Sequence, residues 1–463
     1  MSAAKPTAPR VVERRLPVLA IVGRPNVGKS TLFNRLVRQR RAIVDNLPGV
    51  TRDRNYGEAE WGAKKFLLVD TGGFEAAPET ELKRKIQEQS RLAMEEADIV
   101  LCLFDGKAGV SPLDREVARL MRHAGKPVFF AVNKIDAAGG EAAIADFYTL
   151  GLGEVWPLSA EHGQGLDGLM ERLAEAFPRA DGAAAADEEN EPRLPSLAVV
   201  GRPNVGKSTL VNRLLGYERS IVDSLPGTTR DSLDTPLSWK GERYLLVDTA
   251  GVRRKARIAD RVERYSVIRS LGALDRSDVA LYLLDGAEGA TSQDAQVLAY
   301  AHRRGKGIVL GVNKWDLVDG ASVRPEAYKK ELRARLAFVD YAPVVLISAR
   351  IGYGVDGLMR AALRVARGRA RRVQTAAVNR ALQELVKTHQ PPLYRGRPVK
   401  FYYGTQTGVG PPTLTLFVNW PRAIEASYLR YLTDRLRELL GFDAAPLRLA
   451  LKPRRETAVK KRR

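Results

Sequence analysis

The sequence predicts an α/β protein: two tandem domains, each a mostly parallel sheet with helices on both faces, followed by a smaller α+β module. Three observations predict it. Short β-rich apolar runs alternate with amphipathic stretches, the pattern of a parallel sheet wrapped by helices. The nine residues GRPNVGKST occur at 23–31 and again, letter for letter, at 201–209. Charge is concentrated at the C-terminal end, where residues 351–463 hold 23 Lys and Arg against 7 Asp and Glu, or +16 of the formal +21.

At 463 residues the chain exceeds one ordinary core, and roughly three domains of about 100–200 residues are expected. Residues 1–15 read as a disordered tail. The first domain takes 16–179, with strands at PVLAIV, FLLVD, IVLCLF and PVFFAV. The stretch 180–195, ADGAAAADEENEPRLP, is rich in Ala, acid and Pro without apolar periodicity and reads as a flexible linker. The second domain takes 196–370, with strands at SLAVV, YLLVD, VALYLLD and GIVLGV. In the module, 371–452, a helix at 374–389, strands at 398–406 and 413–418, a helix at 422–440 and a strand at 446–451 are expected, two helices packing on one face of a sheet. A basic tail, 453–463, closes the chain.

Hydrophobic residues at 44% and charged residues at 28% suit folded cores rather than broad disorder. No run of about 18 uncharged apolar residues occurs, and MSAAKPTAPRVVERR lacks the apolar stretch of a signal peptide. A soluble protein that is not exported and has no membrane partner is expected. Cys102, inside IVLCLF, reads as a buried core residue and leaves no disulfide framework within one chain. His123, His162, His302 and His389 lack ligand spacing, so no zinc site is expected.

The repeat extends beyond the opening motif. LPGVTRD (47–53) matches LPGTTRD (225–231), and LLVDTGG (67–73) matches LLVDTAG (245–251), all displaced by 178 residues. VNKID (132–136) pairs with VNKWD (312–316), and LSA (158–160) pairs loosely with ISA (347–349).

Each copy carries its own chemistry. Gly23, Arg24, Pro25, Asn26, Val27, Gly28, Lys29, Ser30 and Thr31 follow an apolar strand and fit G-x-x-x-x-G-K-S/T, the context of a phosphate-binding P-loop. Backbone N–H groups there point at phosphates and open a helix whose positive end favours the same charge. Gly201, Arg202, Pro203, Asn204, Val205, Gly206, Lys207, Ser208 and Thr209 repeat the arrangement. Lys29 and Lys207 are placed on the β and γ phosphates, and Ser30 and Ser208 on Mg²⁺. Asp70, with Thr71, Gly72 and Gly73, and Asp248, with Thr249, Ala250 and Gly251, put a carboxylate beside the magnesium shell. A helix or turn cap is the alternative for such an aspartate.

Base identity comes from Asn133, Lys134, Ile135 and Asp136, and from Asn313, Lys314, Trp315 and Asp316. A carboxylate at Asp136 or Asp316 accepts from N1–H and the exocyclic amine of guanine, a donor pair that adenine lacks. Asn133 and Asn313 help fix base and phosphate loop, while Lys134 and Lys314 lay their stems over the ring. Ser159 and Ala160, and Ser348 and Ala349, are expected to offer a backbone N–H to the guanine carbonyl.

The order P-loop, threonine, D-x-x-G, N-K-x-D and Ser-Ala resembles the translation-factor-like GTPases. Two such domains followed by a basic module resemble the EngA or Der family of double GTPases, from residue 17 to about 452. The resemblance implies two P-loop GTPase domains and a KH-like third domain. It also implies a cytoplasmic protein acting in maturation of the large ribosomal subunit, with GTP or GDP at two sites and Mg²⁺. It makes Thr51 and Thr229 the switch I threonines, binding Mg²⁺ and the γ phosphate in the GTP state. Gly73 and Gly251 would donate N–H groups to that phosphate, so its loss releases both loops.

Phe74 and Val252 stand where many regulatory GTPases carry a water-orienting glutamine, and neither side chain hydrogen-bonds. In similar GTPases lacking that glutamine, an asparagine at the position of Asn26 and Asn204 helps bind K⁺, which takes the place of an arginine finger's charge. A potassium-stimulated GTPase is therefore expected. The alternative for the asparagines is stabilisation of the loop turn after Pro25 or Pro203. Arg253, Arg254, Lys255 and Arg257 follow the second D-x-x-G, and either RNA or solvent suits them.

QPPLYRGRPVKFYYGTQ, PPTLTLFVNWP and SYLRYL resemble the family's KH-like domain, yet no G-x-x-G follows Gln374. Ordinary KH domains clamp a nucleic-acid backbone with that loop, so docking on folded RNA or on the GTPase domains is expected instead. Phe401, Tyr403 and Phe417 read as core rather than stacking platforms. The tail KPRRETAVKKRR would meet phosphate through charge alone. A monomer that associates with ribosomal RNA and the large ribosomal subunit, and not with DNA, is expected. The alternative is a GTPase switch whose effector is a protein or an anionic membrane. An RNA-modifying GTPase ranks third, for want of a second catalytic constellation.

Overall fold

The computed structural model describes residues 16–38, 56–62, 64–70, 97–122, 125–136, 140–177, 194–216, 234–248, 265–318, 323–442 and 444–453. They fall into two compact units, one holding the first α/β domain and the other holding the second together with the C-terminal module.

In the first domain the apolar runs become strands β1 (Val18–Val22), β3 (Lys64–Asp70), β4 (Ile99–Asp105) and β5 (Val128–Asn133). Two short strands lie outside the four expected runs, β2 (Tyr56–Trp61) and β6 (Val155–Pro157). They stand at the edges of a sheet ordered β2-β3-β1-β4-β5-β6. β2 runs antiparallel to β3 and the other neighbours are parallel. Edge strands are covered on fewer sides, so they lack the continuous apolar run that marks a buried parallel strand. Helices α1 (Lys29–Arg38), α2 (Pro112–Arg122), α3 (Gly140–Tyr148) and α4 (Leu166–Ala176) complete the described part. β1 and β4 are buried along their whole length, Cys102 is fully buried, and burial pushes its thiol pKa up.

The second domain repeats this plan. Its strands are β7 (Ser196–Gly201), β8 (Thr235–Trp239), β9 (Glu242–Val247), β10 (Val279–Asp285), β11 (Gly307–Asn313) and β12 (Val344–Leu346). They form a sheet ordered β12-β11-β10-β7-β9-β8, with β8 antiparallel. Its helices are α5 (Lys207–Gly216), α6 (Tyr265–Arg276), α7 (Ser292–Arg303), α8 (Pro325–Arg335) and α9 (Val355–Ala370).

The C-terminal module contains α10 (Thr375–Thr388), β13 (Phe401–Gly408), β14 (Thr413–Val418), α11 (Ala426–Leu439) and β15 (Arg448–Pro453). β14 is the central strand, antiparallel to β13 and parallel to β15. Val378, Leu382 and Leu385 from α10 share one core with Leu414, Leu416, Tyr428, Leu432 and Leu436. The last helix starts four residues later than expected, because Pro421–Ala423 forms a 3₁₀ turn and Ile424 is extended. Phe401 packs on this core as expected. Tyr403 does not: it is 43% exposed, and its ring stacks on half-buried Phe417 at 4.3 Å between centroids.

One residue sews the module to the second domain. Arg369, at the end of α9, donates from Nη1 to the Asp278 carbonyl (2.6 Å) and carboxylate (3.0 Å), from Nε to Gly305 O (3.2 Å), and from Nη2 to Gly410 O in the module (3.0 Å). Beside it, His302 Nδ1 meets Tyr341 Oη at 2.9 Å, and the Arg437 guanidinium lies 4.4 Å from the Tyr341 ring centre. Burial lowers the His302 pKa to about 4, helped by Arg437, Arg303, Arg448 and Arg430. The histidine is thus neutral packing material. Among the described residues there is no cluster of three metal-ligating His, Cys, Asp or Glu, and no helix long and apolar enough to cross a membrane.

Candidate nucleotide sites

The loop after β1 turns sharply into α1, and the loop after β7 turns in the same way into α5. Asn26 and Asn204 sit in the left-handed region, at φ 64° and 60°, a conformation Asn tolerates better than most residues. Gly28 (φ 94°) and Gly206 (φ 96°) do too, and a Cβ on either would strike the side-chain amide of Asn133 or Asn313.

Lys29 is 6% exposed and donates from Nζ to Gly23 O (2.8 Å) and Arg24 O (2.7 Å). Burial lowers its pKa to about 8, partly opposed by Asp70. Lys207 makes the same pair of bonds, to Gly201 O and Arg202 O. Each loop is therefore wrapped around one ammonium. Ser30 Oγ donates to Asp70 Oδ2 at 2.7 Å, which brings the expected magnesium hydroxyl and carboxylate together. Asp70 closes β3 and is buried, whereas Asp248 lies just beyond β9 at φ 57°, its N–H held by the Asp234 carboxylate (3.1 Å) that also pairs with Arg276 (2.6 Å).

The side chains of Arg24 and Arg202 are engaged elsewhere than on phosphate. Arg24 Nε pairs with Asp114 (3.2 Å), and Arg202 Nε with Asp294 (3.0 Å), while Arg202 Nη2 reaches Glu288 (2.7 Å). Both aspartates also accept from the residue that opens their helix, Ser111 or Thr291. This role falls outside the sequence expectation, because the partner lies 90 or 92 residues along the chain.

At the other end of each site, Asn133 and Asn313 act as struts. Asn133 Nδ2 donates to Val27 O (2.8 Å) and its Oδ1 accepts from Ala160 N (2.8 Å). Asn313 Nδ2 donates to Val205 O (2.7 Å) and its Oδ1 accepts from Ala349 N (2.8 Å). The Ser-Ala amides are thus occupied within the protein, since Ser159 N donates to Gln164 O and Ser348 N to Tyr353 O. The alanine N–H expected on the guanine carbonyl is bonded to the asparagine side chain in this structure. Here it braces the loop.

Lys134 (φ 69°) and Lys314 (φ 60°) are also left-handed, and their ammonium groups are anchored on Asp105 (2.6 Å) and Asp285 (2.8 Å) at the ends of β4 and β10. Those aspartates carried no motif of their own in the sequence. Ile135 N and Trp315 N donate to Leu158 O and Ile347 O, so the variable position of N-K-x-D is held through its backbone. Asp136 accepts from Ser159 Oγ (2.7 Å) and pairs with Lys107 (2.5 Å), and Lys107 and Ser159 hold its carboxyl below the usual range. Asp316 meets only a distant Arg350, at 3.7 Å, among the described residues. Pro25, Pro203, Thr31 and Thr209 lie on the same loops and helix starts. Thr51, Thr71, Gly72, Gly73, Phe74, Thr229, Thr249, Ala250, Gly251, Val252 and the basic cluster Arg253, Arg254, Lys255 and Arg257 lie outside the described residues.

Residues 18–134 and 196–314 match the family described as 50S ribosome-binding GTPase, and residues 372–452 match the KH-domain-like C-terminal part of EngA bacterial GTPase enzymes. A relative named GTPase Der from Geotalea uraniireducens is 46% identical over 438 residues, 95% of this chain and 98% of its own. The chain belongs to the EngA family. Another relative called GTPase Der, from Syntrophotalea carbinolica, is 47% identical over 439 residues, 95% of this chain and 99% of its own. A solved structure of a probable GTP-binding protein engB is similar at 24% identity and a TM-score of 0.27, over 34% of this chain and 97% of that one. As an EngA-family member the chain is a GTPase, converting GTP and water to GDP and phosphate, and it binds guanine nucleotide.

Proposed function

We propose that this EngA-family GTPase carries two guanine-nucleotide sites and acts in large ribosomal subunit assembly, joining ribosomal RNA in one nucleotide state. The observation that carries the two-site reading is the pair of struts. Asn133 and Asn313 each tie a phosphate loop to a guanine-reading strand end, with bonds of 2.7–2.8 Å in both copies. A polyphosphate entering either loop would replace the carbonyls on Lys29 or Lys207 as partners of the ammonium, and the backbone N–H groups at the helix start face the same charge. Asp136 or Asp316 would then read guanine, with the stem of Lys134 or Lys314 over the ring.

Magnesium fits the first site, because a hydroxyl and a carboxylate already in mutual contact supply the hard oxygen donors it takes, with water and phosphate completing its shell. Ser30 with Thr51, and Ser208 with Thr229, would hold it, Asp70 and Asp248 acting through water, and it would neutralise charge on the phosphate oxygens. Gly73 and Gly251 would add backbone donors to the γ phosphate. Potassium would lie against the exposed amides of Asn26 and Asn204 and supply the positive charge that Phe74 and Val252 do not. GTP hydrolysis measured in K⁺ and in Na⁺ at equal ionic strength tests this, and equal rates would sink it.

The RNA reading rests on the +16 carried by residues 351–463 and on family membership. Its test is co-sedimentation with ribosomal particles in the presence of a GTP analogue, GDP or no nucleotide. Association in one state supports it; association in none favours a protein or membrane effector. A cytoplasmic monomer goes with this reading.

A further inference from the structure

We propose that Arg35 and Arg213 are positioning residues that lock the guanine end of each site to its phosphate end. This rests on the reading of Gly23–Thr31 and Asp136, with their counterparts, as guanine-nucleotide sites. Arg35 lies on α1, six residues after Lys29, and its Nε donates to Ala160 O at 2.6 Å while Nη2 donates to Glu161 O. Arg213, at the same place on α5, donates from Nε to Ala349 O at 2.6 Å and from Nη2 to Arg350 O. Room for the guanidinium is built in. Gly163 (φ 81°) and Gly352 (φ 90°) face it, and a Cβ on either would come within 2.8 Å of Nη1.

Ala160 is thereby held on both sides, its N–H by Asn133 and its C=O by Arg35. Asn133 in turn holds Val27 of the phosphate loop, and that loop runs straight into α1. The chain of bonds closes on itself: helix, Ser-Ala loop, asparagine, phosphate loop, helix. The second domain closes the same ring through Arg213, Ala349, Asn313 and Val205. A charge-assisted pair of bonds in a fixed fork suits this task, since the guanidinium is planar and always charged. Loss of the fork frees the loop that surrounds the base while leaving Lys29 and the loop glycines in place. Discrimination between bases should therefore suffer more than attraction of phosphate.

The test uses the full chain carrying Lys207→Ala, so that binding reports the first site, with GDP and ADP competing against a fluorescent GDP analogue. Arg35→Ala should weaken GDP about tenfold and leave ADP unchanged, so the preference for guanine falls about tenfold. Arg35→Lys, which reaches one carbonyl rather than two, should fall between Arg35→Ala and the parent. A merely structural arginine would weaken both nucleotides alike or lower only the melting temperature, and either result overturns the proposal. If the parent itself prefers GDP no more than ADP, the guanine-site reading fails and the clamp with it. Arg213→Ala in a Lys29→Ala chain repeats the test at the second site.

Discussion

Helices α2 and α7 hold the same place in two copies of one fold, yet they meet different surroundings. In α2, Arg115, Arg119 and Arg122 are exposed. At the matching positions α7 carries Ala295, Ala299 and His302, and it is buried without a break from Asp294 to Ala301. Tyr300 on α7 bonds Asp275 of α6 (2.7 Å), and Arg448 of the C-terminal module donates to the carbonyl of Arg303 at its end. Meanwhile Asp114 and Asp294, on the faces toward the sites, both hold the loop arginine. Residues facing the two repeated glycine-rich loops answer to the same chemistry in both domains. The other faces answer to whatever packs on them, and for the second domain's helix that includes the C-terminal module.

The largest expected break in this comparison is acid sensitivity. The unfolded chain protonates a histidine near pH 6.5, but folded His302 does so only near 4. Stability from this group is complete above pH 6.5 and is lost as pH falls toward 4, by up to about 3 kcal/mol. Calorimetry between pH 7 and 4.5 should show the transition of the second domain and module falling faster than that of the first, where Arg122 stands. His302→Gln should flatten the difference. Equal slopes in the parent would refute it.

Next in size is the pH dependence of GDP binding at the first site, measured in a Lys207→Ala chain. Lys29 loses its proton near pH 8 when held by carbonyls, whereas a bound polyphosphate would keep it charged. Binding then takes up a proton, so affinity should be flat below about pH 8 and fall about tenfold per unit above it. A flat profile to pH 9.5 would mean that Lys29 keeps its proton in the empty loop or does not meet the phosphates.

The smallest effect concerns the base ends. Lys107 sits on Asp136, but Ala287 stands at its position in the second domain. An exposed pair of this kind is weak, so Lys107→Ala should tighten GDP at the first site only a few-fold, by releasing the carboxylate proposed to read guanine. Ala287→Lys should loosen the second site by a similar factor. Changes in the opposite sense would mean that the lysine orients Asp136 rather than competing for it.

Much of this was legible in the sequence, and the reasons differ by element. β1, β4, β7 and β10 are buried on both faces, so their apolar runs announce them. The phosphate loops are legible because the left-handed turns at Gly28 and Gly206 and the lysine that follows leave few alternatives. The struts were half legible: Asn133 and Asn313 were expected near base and loop, but not their hold on the Ser-Ala amides. Arg35, Asp105 and Asp114 were not legible, since each acts on a partner 29 to 125 residues away, although Arg35 stands in an Asn-Arg-Leu that recurs at 212–214 and so carried a signal in the repeat. Tyr403 was misjudged because alternation along a strand tells which residues share a face, not whether that face is covered.

Arg369 has a practical consequence for anyone dividing this chain. The composition and the motifs invite a cut near residue 370, yet a guanidinium that is 4% exposed there spends its hydrogen bonds on carbonyls from both sides of the cut. A fragment ending at that point would keep the charge and lose part of its coordination, and the module beginning after it would lose the donor on its Gly410 carbonyl. The natural fragment runs from the start of β7 through β15, so the second GTPase domain is better handled as a piece with its KH-like neighbour than as a copy of the first.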